Sequence, residues 1–257
     1  MLVVHHSIYL ARAWFRDMIY HSSVRLAENF YCYIWEGRGN DCNTGLLCHA
    51  LRGDRPHVLF DPGHVRNELG EHCFDSLTES MEKDGFKIKD IGLVLCTHCH
   101  PDHFEAVDAV ANQNTPMALS REEDEYLQKV GKPFFSSFGI NLPQAKPFFY
   151  LTEGDLSLGA KNKVNFKVLL TPGHSPGSIC FYLKEEKILI SGDVVFSGSV
   201  GRTDFPGGSP SLLKNSIDRL AQLDVEHLFP GHNTESGSII SGKEKIKRNF
   251  QMVKMFF

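Results

Sequence analysis

A run of potential metal ligands in residues 97–103 constrains this chain more than any other feature of its sequence. The run reads Thr-His-Cys-His-Pro-Asp-His and directly follows the apolar residues 91–96, which are typical of a short buried strand. The ligand types in it are His98, His100, Asp102 and His103. Side chains two apart on an extended segment point the same way, so His98 and His100 can bind one metal ion together. Asp102 and His103, in the first turn of a helix predicted after Pro101, would face a second.

Three later residues repeat the pattern of a ligand just beyond a predicted strand with a glycine before it. They are His174, Asp193 and His232. A glycine lets the backbone turn sharply and approach closely, which a site built at strand ends needs. The seven side chains therefore predict a site for two divalent metal ions. Imidazole and carboxylate favour zinc, and iron or manganese are alternatives.

The remaining pattern predicts one domain, residues 1–257, with strands and helices in both halves. Strands are expected at residues 30–35, 44–51, 57–60, 91–96, 166–170, 179–183, 187–190 and 225–229, and helices at 68–83 and 211–223. The first three strands would form an antiparallel meander. Residues 1–23 are interpreted as an N-terminal extension, and residues 121–150, rich in Phe, Gly and Pro, as a lid-like insertion.

Composition excludes several classes of partner. The net charge is −4 and no basic stripe is present, so neither nucleic acid nor an anionic membrane is expected as a partner. Seven cysteines, an odd and scattered set, are typical of free thiols in the cytoplasm. The expected partner is a small-molecule substrate, and a homodimer is left open.

With these motifs in view, the chain resembles the metallo-β-lactamase superfamily, from Asp61 to His232. The resemblance implies an α/β (α+β) fold, a four-layer αββα sandwich. It also implies that His98, His100 and His174 hold one metal, that Asp102, His103 and His232 hold the other, and that Asp193 bridges them. In the same pattern Asp61 would orient a ligand.

Residues 201–209, Gly-Arg-Thr-Asp-Phe-Pro-Gly-Gly-Ser, are similar to the short glyoxalase II-like hydrolases of that superfamily. The implied reaction is hydrolysis of an ester or thioester by a metal-bound hydroxide, with Asp102 as the catalytic residue that steers or receives the proton. The Gly-Arg-Thr-Asp-Phe core also occurs in persulfide dioxygenases, in which His98, His174 and Asp193 would bind a single iron. A lactonase is a third alternative, because the same hydroxide would open a cyclic ester.

Cys99 and the Arg202–Asp204 pair are interpreted structurally. The Cys99 side chain lies between two ligands in sequence and should therefore point away from the metals. Arg202 and Asp204 are expected to form an ion pair that shapes their loop rather than to act in catalysis.

Overall fold

The computed structural model describes residues 20–111, 115–159 and 163–257. Its strands form two sheets. The first contains β1 (His21–Ala27), β2 (Phe30–Trp35), β3 (Thr44–Leu47), β4 (His57–Phe60), β5 (Ile91–Leu95), β6 (Met117–Ser120) and β7 (Phe149–Leu151) in that order. The second contains β13 (Ile240–Ser241), β12 (His227–Pro230), β11 (Ile188–Gly192), β10 (Ile179–Leu183), β9 (Val164–Leu170) and β8 (Gly154–Leu158).

Helices cover the outer faces of both sheets. On the first sheet lie α1 (Cys73–Lys83), α2 (Pro101–Phe104), α3 (Val107–Val110), α4 (Arg121–Tyr126), a π-helical turn (Leu127–Gly131) and α5 (Lys132–Ser137). On the second lie α6 (Pro210–Leu220) and α7 (Lys243–Val253). Short 3-10 helices occupy Ile88–Asp90 and Lys254–Phe256.

Alternation along the strands explains the layers. In β10, Phe181 belongs to the core between the sheets, whereas its neighbours Cys180 and Tyr182 pack under α6 and α7. In a strand, successive side chains point to opposite faces, so a continuous apolar run can supply two cores at once. The rings of Phe60 in the first sheet and Phe181 in the second meet at 5.1 Å. The predicted four-layer αββα sandwich is confirmed.

Pairing of the strands decides where the site lies. The meander of β2, β3 and β4 is antiparallel as predicted, whereas β4, β5, β6 and β7 run parallel. In the second sheet β11 and β12 are parallel. The ligand-bearing segments therefore follow the carboxyl ends of β5, β11 and β12, where sites of α/β proteins commonly form.

Most predicted elements are present with shifted ends, but one helix begins late. Helix α1 starts at Cys73 instead of residue 68, and Leu69 is 54% exposed instead of packed. The reason is local: the Asn67 side chain accepts hydrogen bonds from the N–H groups of Leu69 and Glu71, which holds this stretch in a turn that competes with the helix.

All seven cysteines are free and buried, as predicted. Residues 1–19 of the proposed 1–23 extension lie outside the described residues, and His21 already belongs to β1. No helix in the described ranges combines the length and the apolar character that crossing a membrane requires.

Candidate metal centre

Seven side chains from four segments, which follow β5, β9, β11 and β12, meet at one edge of the sandwich. Three overlapping groups have ligand atoms within 4.8 Å of one another. They are His98, His100 and His174; His98, His103 and Asp193; and Asp102, His103 and His232. The structure therefore brings together every residue that the sequence predicted as a ligand. Their metal-binding roles remain a prediction.

A close approach of backbone to side chain makes this convergence possible at Gly231. A Cβ atom there would lie 2.2 Å from Oδ1 of Asp193 and 2.8 Å from the His103 ring, so no larger residue fits without displacing the site. Glycine is therefore required directly before His232, as the sequence predicted. Pro230, which ends β12, and Gly231 together place His232 over the cluster.

Hydrogen bonds fix which ring nitrogen of two histidines faces the centre. Nδ1 of His174 donates to the carbonyl oxygen of Arg202 at 2.7 Å. Nδ1 of His98 lies 3.0 Å from Oγ1 of Thr97, whose own proton goes to Asp61 at 2.6 Å, so the hydroxyl must accept from His98. In its neutral form, each of these imidazoles therefore presents an unprotonated Nε2 to the centre.

Those two Nε2 atoms lie only 3.2 Å apart. Two lone pairs at that distance repel unless a cation lies between the groups that carry them. Nε2 of the buried His100 has no hydrogen-bond partner among the described residues, although buried polar groups are normally satisfied. The donor set and its orientation thus fit a bound metal ion.

The candidate ligands differ in their protonation states. Burial lowers the pKa of His98 and His100 well below the ordinary value, so both rings are neutral. Burial would raise the pKa of Asp193, but the neighbouring His232 and His103 outweigh it and hold that pKa well below its usual range. The same competition, with His232 as the largest opposing group, lowers the pKa of Asp102. Neutral imidazoles and ionised carboxylates are the protonation states that divalent metals bind. Burial would lower the pKa of His232, but Asp193 and Asp102 outweigh it and raise that pKa to about 10, so a metal ion would displace a proton from this ring.

Asp61 contacts a candidate ligand from behind. Its Oδ2 accepts from Nδ1 of His103 at 2.9 Å, and its Oδ1 accepts from the Thr97 N–H at 2.7 Å. A carboxylate in this position fixes the tautomer and the orientation of the imidazole. The contact is the one that the proposed orienting role of Asp61 requires.

Two residues near the ligands were not identified from the sequence. Nδ2 of Asn40 donates to Oδ2 of Asp102 at 2.6 Å. The buried carboxylate of Glu123 accepts from the N–H of Cys99 at 2.9 Å, from the N–H of Gly177 at 2.8 Å and from the Ser175 hydroxyl. Glu123 therefore connects the loop of His98 and His100 to the loop of His174.

The arrangements expected for Cys99 and for Arg202 with Asp204 are both observed. Cys99 is fully buried, and its Sγ lies 3.7 Å from the carbonyl oxygen of Glu123, away from the ligand atoms. Arg202 donates two hydrogen bonds to Asp204, at 2.7 and 2.6 Å.

The cluster lies in a cleft of about 750 Å³. Its walls include Phe138, Ile140 and Phe205 on one side and Asn40, Arg66 and Glu68 on another. This volume is within the range of small-molecule sites.

Comparison with known proteins identifies the class. The chain belongs to the metallo-β-lactamase superfamily, whose sequence pattern it matches over residues 37–232. It is therefore a metal-dependent hydrolase by family.

Particular relatives are metallo-hydrolases and thioesterases. The chain is 34% identical over 196 residues, 73% of this chain and 85% of the other, to the "Probable metallo-hydrolase YqgX" of Bacillus subtilis. It is 34% identical over 180 residues, 66% of this chain and 76% of the other, to the "Hydroxyacylglutathione hydrolase GloC" of Haemophilus influenzae. It is 29% identical over 234 residues, 83% of this chain and 78% of the other, to the "Acyl-coenzyme A thioesterase MBLAC2" of Bos taurus.

A solved structure bears on the metal content. The crystal structure of TTHA1623 in a di-iron-bound form is similar with a TM-score of 0.61 and 30% identity, covering 81% of this chain and 93% of that one. A divalent metal centre at the cluster agrees with this likeness, whereas the expected choice of zinc is not established by it.

Proposed function

We propose that this protein hydrolyses thioesters with a pair of divalent metal ions held by the seven clustered side chains. The observation that carries the proposal is the 3.2 Å approach of the Nε2 atoms of His98 and His174, both with Nδ1 engaged in a hydrogen bond, beside a cleft that His174 lines. Two relatives whose names describe thioester hydrolysis, GloC and MBLAC2, support the choice of thioesters over other acyl compounds.

The proposed ligand roles follow from which side chains lie close together in the cluster. His98, His100 and His174 would hold one ion, and Asp102, His103 and His232 the other, with Asp193 between them. When bound, such a pair supplies Lewis acidity that lowers the pKa of water and polarises a carbonyl group. Zinc is the proposed metal, and iron or manganese fit the same donors.

The protein's own groups manage the proton and the geometry. Oδ2 of Asp102 lies 3.2 Å from Nε2 of His232 and accepts from the Asn40 amide, so the carboxylate is held facing the cleft. Because its pKa is low, Asp102 is an anion at neutral pH, and its carboxylate can accept a hydrogen bond from the attacking water and so steer the water proton. Asp61 keeps His103 oriented throughout, since its carboxylate holds the Nδ1 proton of that ring.

The test is metal analysis followed by turnover of chosen substrates. We expect about two metal ions per chain after loading, and hydrolysis of S-lactoylglutathione or an acyl-coenzyme A thioester. The Asp102→Asn variant should lose roughly a hundredfold or more in kcat. The control Asp75→Asn, a carboxylate outside the cleft, should retain full activity.

Other outcomes would overturn the proposal. One iron per chain, together with oxygen uptake on glutathione persulfide, would identify a dioxygenase instead. Turnover of a lactone with no turnover of any thioester would identify a lactonase.

A further inference from the structure

Aromatic rings are concentrated on one side of the candidate metal centre. We use the term aromatic wall for Phe134, Phe138, Ile140 and Phe205. The rings of Phe134 and Phe205 lie 5.2 and 5.4 Å from the ring of His100. Phe138 continues the wall outward, 5.4 Å from Phe134 and 6.1 Å from Phe205. The wall therefore begins at a candidate ligand and extends away from it.

Part of this apolar surface is open to the cleft. Phe134 is the buried member of the aromatic wall, whereas Phe138 is 50% exposed. Phe138, Ile140 and Phe205 all line the cleft that contains Asp102 and Asp193. When a ligand covers contiguous apolar surface in a cleft, the removal of that surface from water favours binding.

The charge of Arg202, beside Phe205, is already neutralised. The Arg202 guanidinium lies 3.9 Å over the ring of Phe205 and donates two hydrogen bonds to Asp204. The hydrogen bonds from Arg202 lower the pKa of Asp204 to about 2, so the carboxylate remains charged and paired. An anionic group at the aromatic wall would meet Arg202 with its charge already paired, whereas an uncharged hydrocarbon would meet the rings of Phe138 and Phe205.

Another part of the cleft lining is polar. Asn40, Arg66 and Glu68 line it, and the N–H of Asn40 donates to Glu68 at 2.9 Å. A substrate with one apolar and one polar end therefore has a preferred direction in the cleft. The apolar end meets the aromatic wall, and the polar end meets the side of Asn40.

We propose that the aromatic wall is an acyl-binding subsite, and that the protein acts on thioesters of apolar acyl chains of several carbons in preference to short hydroxyacyl thioesters. The inference rests on the proposed thioester hydrolysis. With the scissile carbonyl at the metal centre, the acyl chain runs past His100 along Phe138 and Ile140. Water forms the new C–O bond, the C–S bond breaks, and the products are the carboxylic acid and the protonated thiol.

The experiment is a chain-length series on the metal-loaded protein. N-acetylcysteamine thioesters of acetyl, butanoyl, hexanoyl, octanoyl and lactoyl groups share one small uncharged carrier, so only the acyl end varies. For the wild type, kcat/KM should rise at least about tenfold from acetyl to octanoyl, since each buried methylene contributes up to roughly fourfold. The lactoyl compound should lie near the acetyl one.

Two phenylalanines of the same segment form a matched pair of variants. Phe138→Ala removes a ring of the aromatic wall, and it should lower kcat/KM for octanoyl about tenfold but for acetyl less than about twofold. Phe148→Ala removes a ring that is 80% exposed and lies outside the cleft, and it should leave the whole series unchanged. Binding of the non-hydrolysable S-octyl and S-ethyl thioethers, measured by calorimetry, should show the same contrast without any turnover.

The outcomes separate the two proposals. Turnover of every thioester with no dependence on chain length, or an equal loss for all substrates in Phe138→Ala, would overturn the acyl-binding subsite and leave thioester hydrolysis intact. Absence of turnover for every thioester at full metal loading would overturn both.

Discussion

Among single residues, Glu123 connects two loops of the candidate metal centre without being a candidate ligand itself. Its two carboxylate oxygens accept from three donors that belong to two different ligand loops. Nearby, the Ser120 hydroxyl donates to the carbonyl of Gly177 at 2.7 Å, which adds a second connection to the same loop. The spacing between His98 and His174 therefore depends in part on the buried side chain of Glu123.

Replacing Glu123 with Gln should weaken metal binding without unfolding the protein. The amide of Gln presents one oxygen and one NH₂ group, so at least one of the three donors would face another donor. Loss of such an orienting partner typically lowers metal affinity roughly 10- to 100-fold. Competition with a chromophoric chelator measures this affinity.

Glu122→Gln is the control for that experiment, because it makes the same change at the exposed neighbouring position. It should bind metal like the wild type. If Glu123→Gln lowered only the melting temperature and left metal affinity unchanged, the residue would serve stability and not the site.

The sequence could not reveal Glu123, although it identified all seven candidate ligands that the structure brings together. The ligands occur in short motifs after strands, which local pattern exposes. Ser120 and Glu123 instead have the spacing of a helix capping box, and Oγ of Ser120 does accept from the Glu123 N–H. The Glu123 carboxylate, however, turns to partners 24 and 54 residues away. No short-range sequence pattern encodes these long-range hydrogen bonds.

A buried pair, His21 and Asp41, gives a pH prediction. The two side chains approach to 3.8 Å. Burial raises the pKa of Asp41 to about 7 and lowers the pKa of His21 to about 3. The contribution of Asp41 to stability is present at low pH and is lost as pH rises through about 7, whereas that of His21 is present above 6.5 and is lost as pH falls towards 3. Between pH 4 and 6.5 the two slopes oppose each other.

Asp41→Asn should therefore uncover the slope of His21. Relative to the wild type, its free energy of unfolding should fall by about 1.4 kcal/mol for each unit of pH below 6.5. Urea denaturation of both proteins at several pH values measures the difference, in which the metal ligands cancel because both proteins contain them. Adding His21→Gln should remove the slope again, and parallel curves for wild type and Asp41→Asn would contradict the assignment.

At the scale of elements, the contact between the His174 loop and helix α6 depends on Gly173. The residue has φ +139°, and a Cβ atom on it would lie 2.2 Å from the backbone nitrogen of Leu213. Its carbonyl accepts from the N–H of Ser209, the residue that caps α6. Helix and ligand loop are therefore packed backbone against backbone.

Gly173→Ala should cost more stability than Gly242→Ala, a control with φ +106° and no atom within 4 Å of the added Cβ. Backbone strain costs roughly 1–3 kcal/mol at either position. The collision with α6 adds about 1–3 kcal/mol at Gly173 alone. Chemical denaturation measures both values. Equal losses would mean that α6 shifts freely, and the contact would not constrain His174.

Elements were predictable where a strand or helix has a pattern of its own. β2, β4 and β10 have the predicted ends because each is an unbroken apolar run. β6 and β7 escaped prediction, since Met117–Ser120 contains no β-branched or aromatic residue and Phe149–Leu151 has only three residues. β8 was missed although its alternation of Leu with Asp and Ser is the pattern of a strand with one covered face.

For the whole molecule, the candidate metal centre connects the two sheets. His98, His100, Asp102 and His103 follow β5 of the first sheet, whereas Asp193 and His232 follow β11 and β12 of the second. Metal ions bound by both sets would hold the two sheets together at the edge formed by the carboxyl ends of β5, β11 and β12. Binding of a ligand to the folded state alone stabilises it by mass action.

Removal of metal with a chelator should thus lower the melting temperature and loosen both sheets at that edge. At a free metal concentration of about 100 times Kd the stabilisation is about 2.7 kcal/mol, which corresponds to roughly 5 to 10 °C for a chain of this size. Amide hydrogen exchange should accelerate together in residues 97–103 of the first sheet and residues 192–193 and 230–232 of the second. His72→Ala, a histidine outside the cluster, should retain the full shift, whereas Asp193→Ala should lose most of it. Faster exchange confined to one sheet would show that the centre does not bridge the two halves.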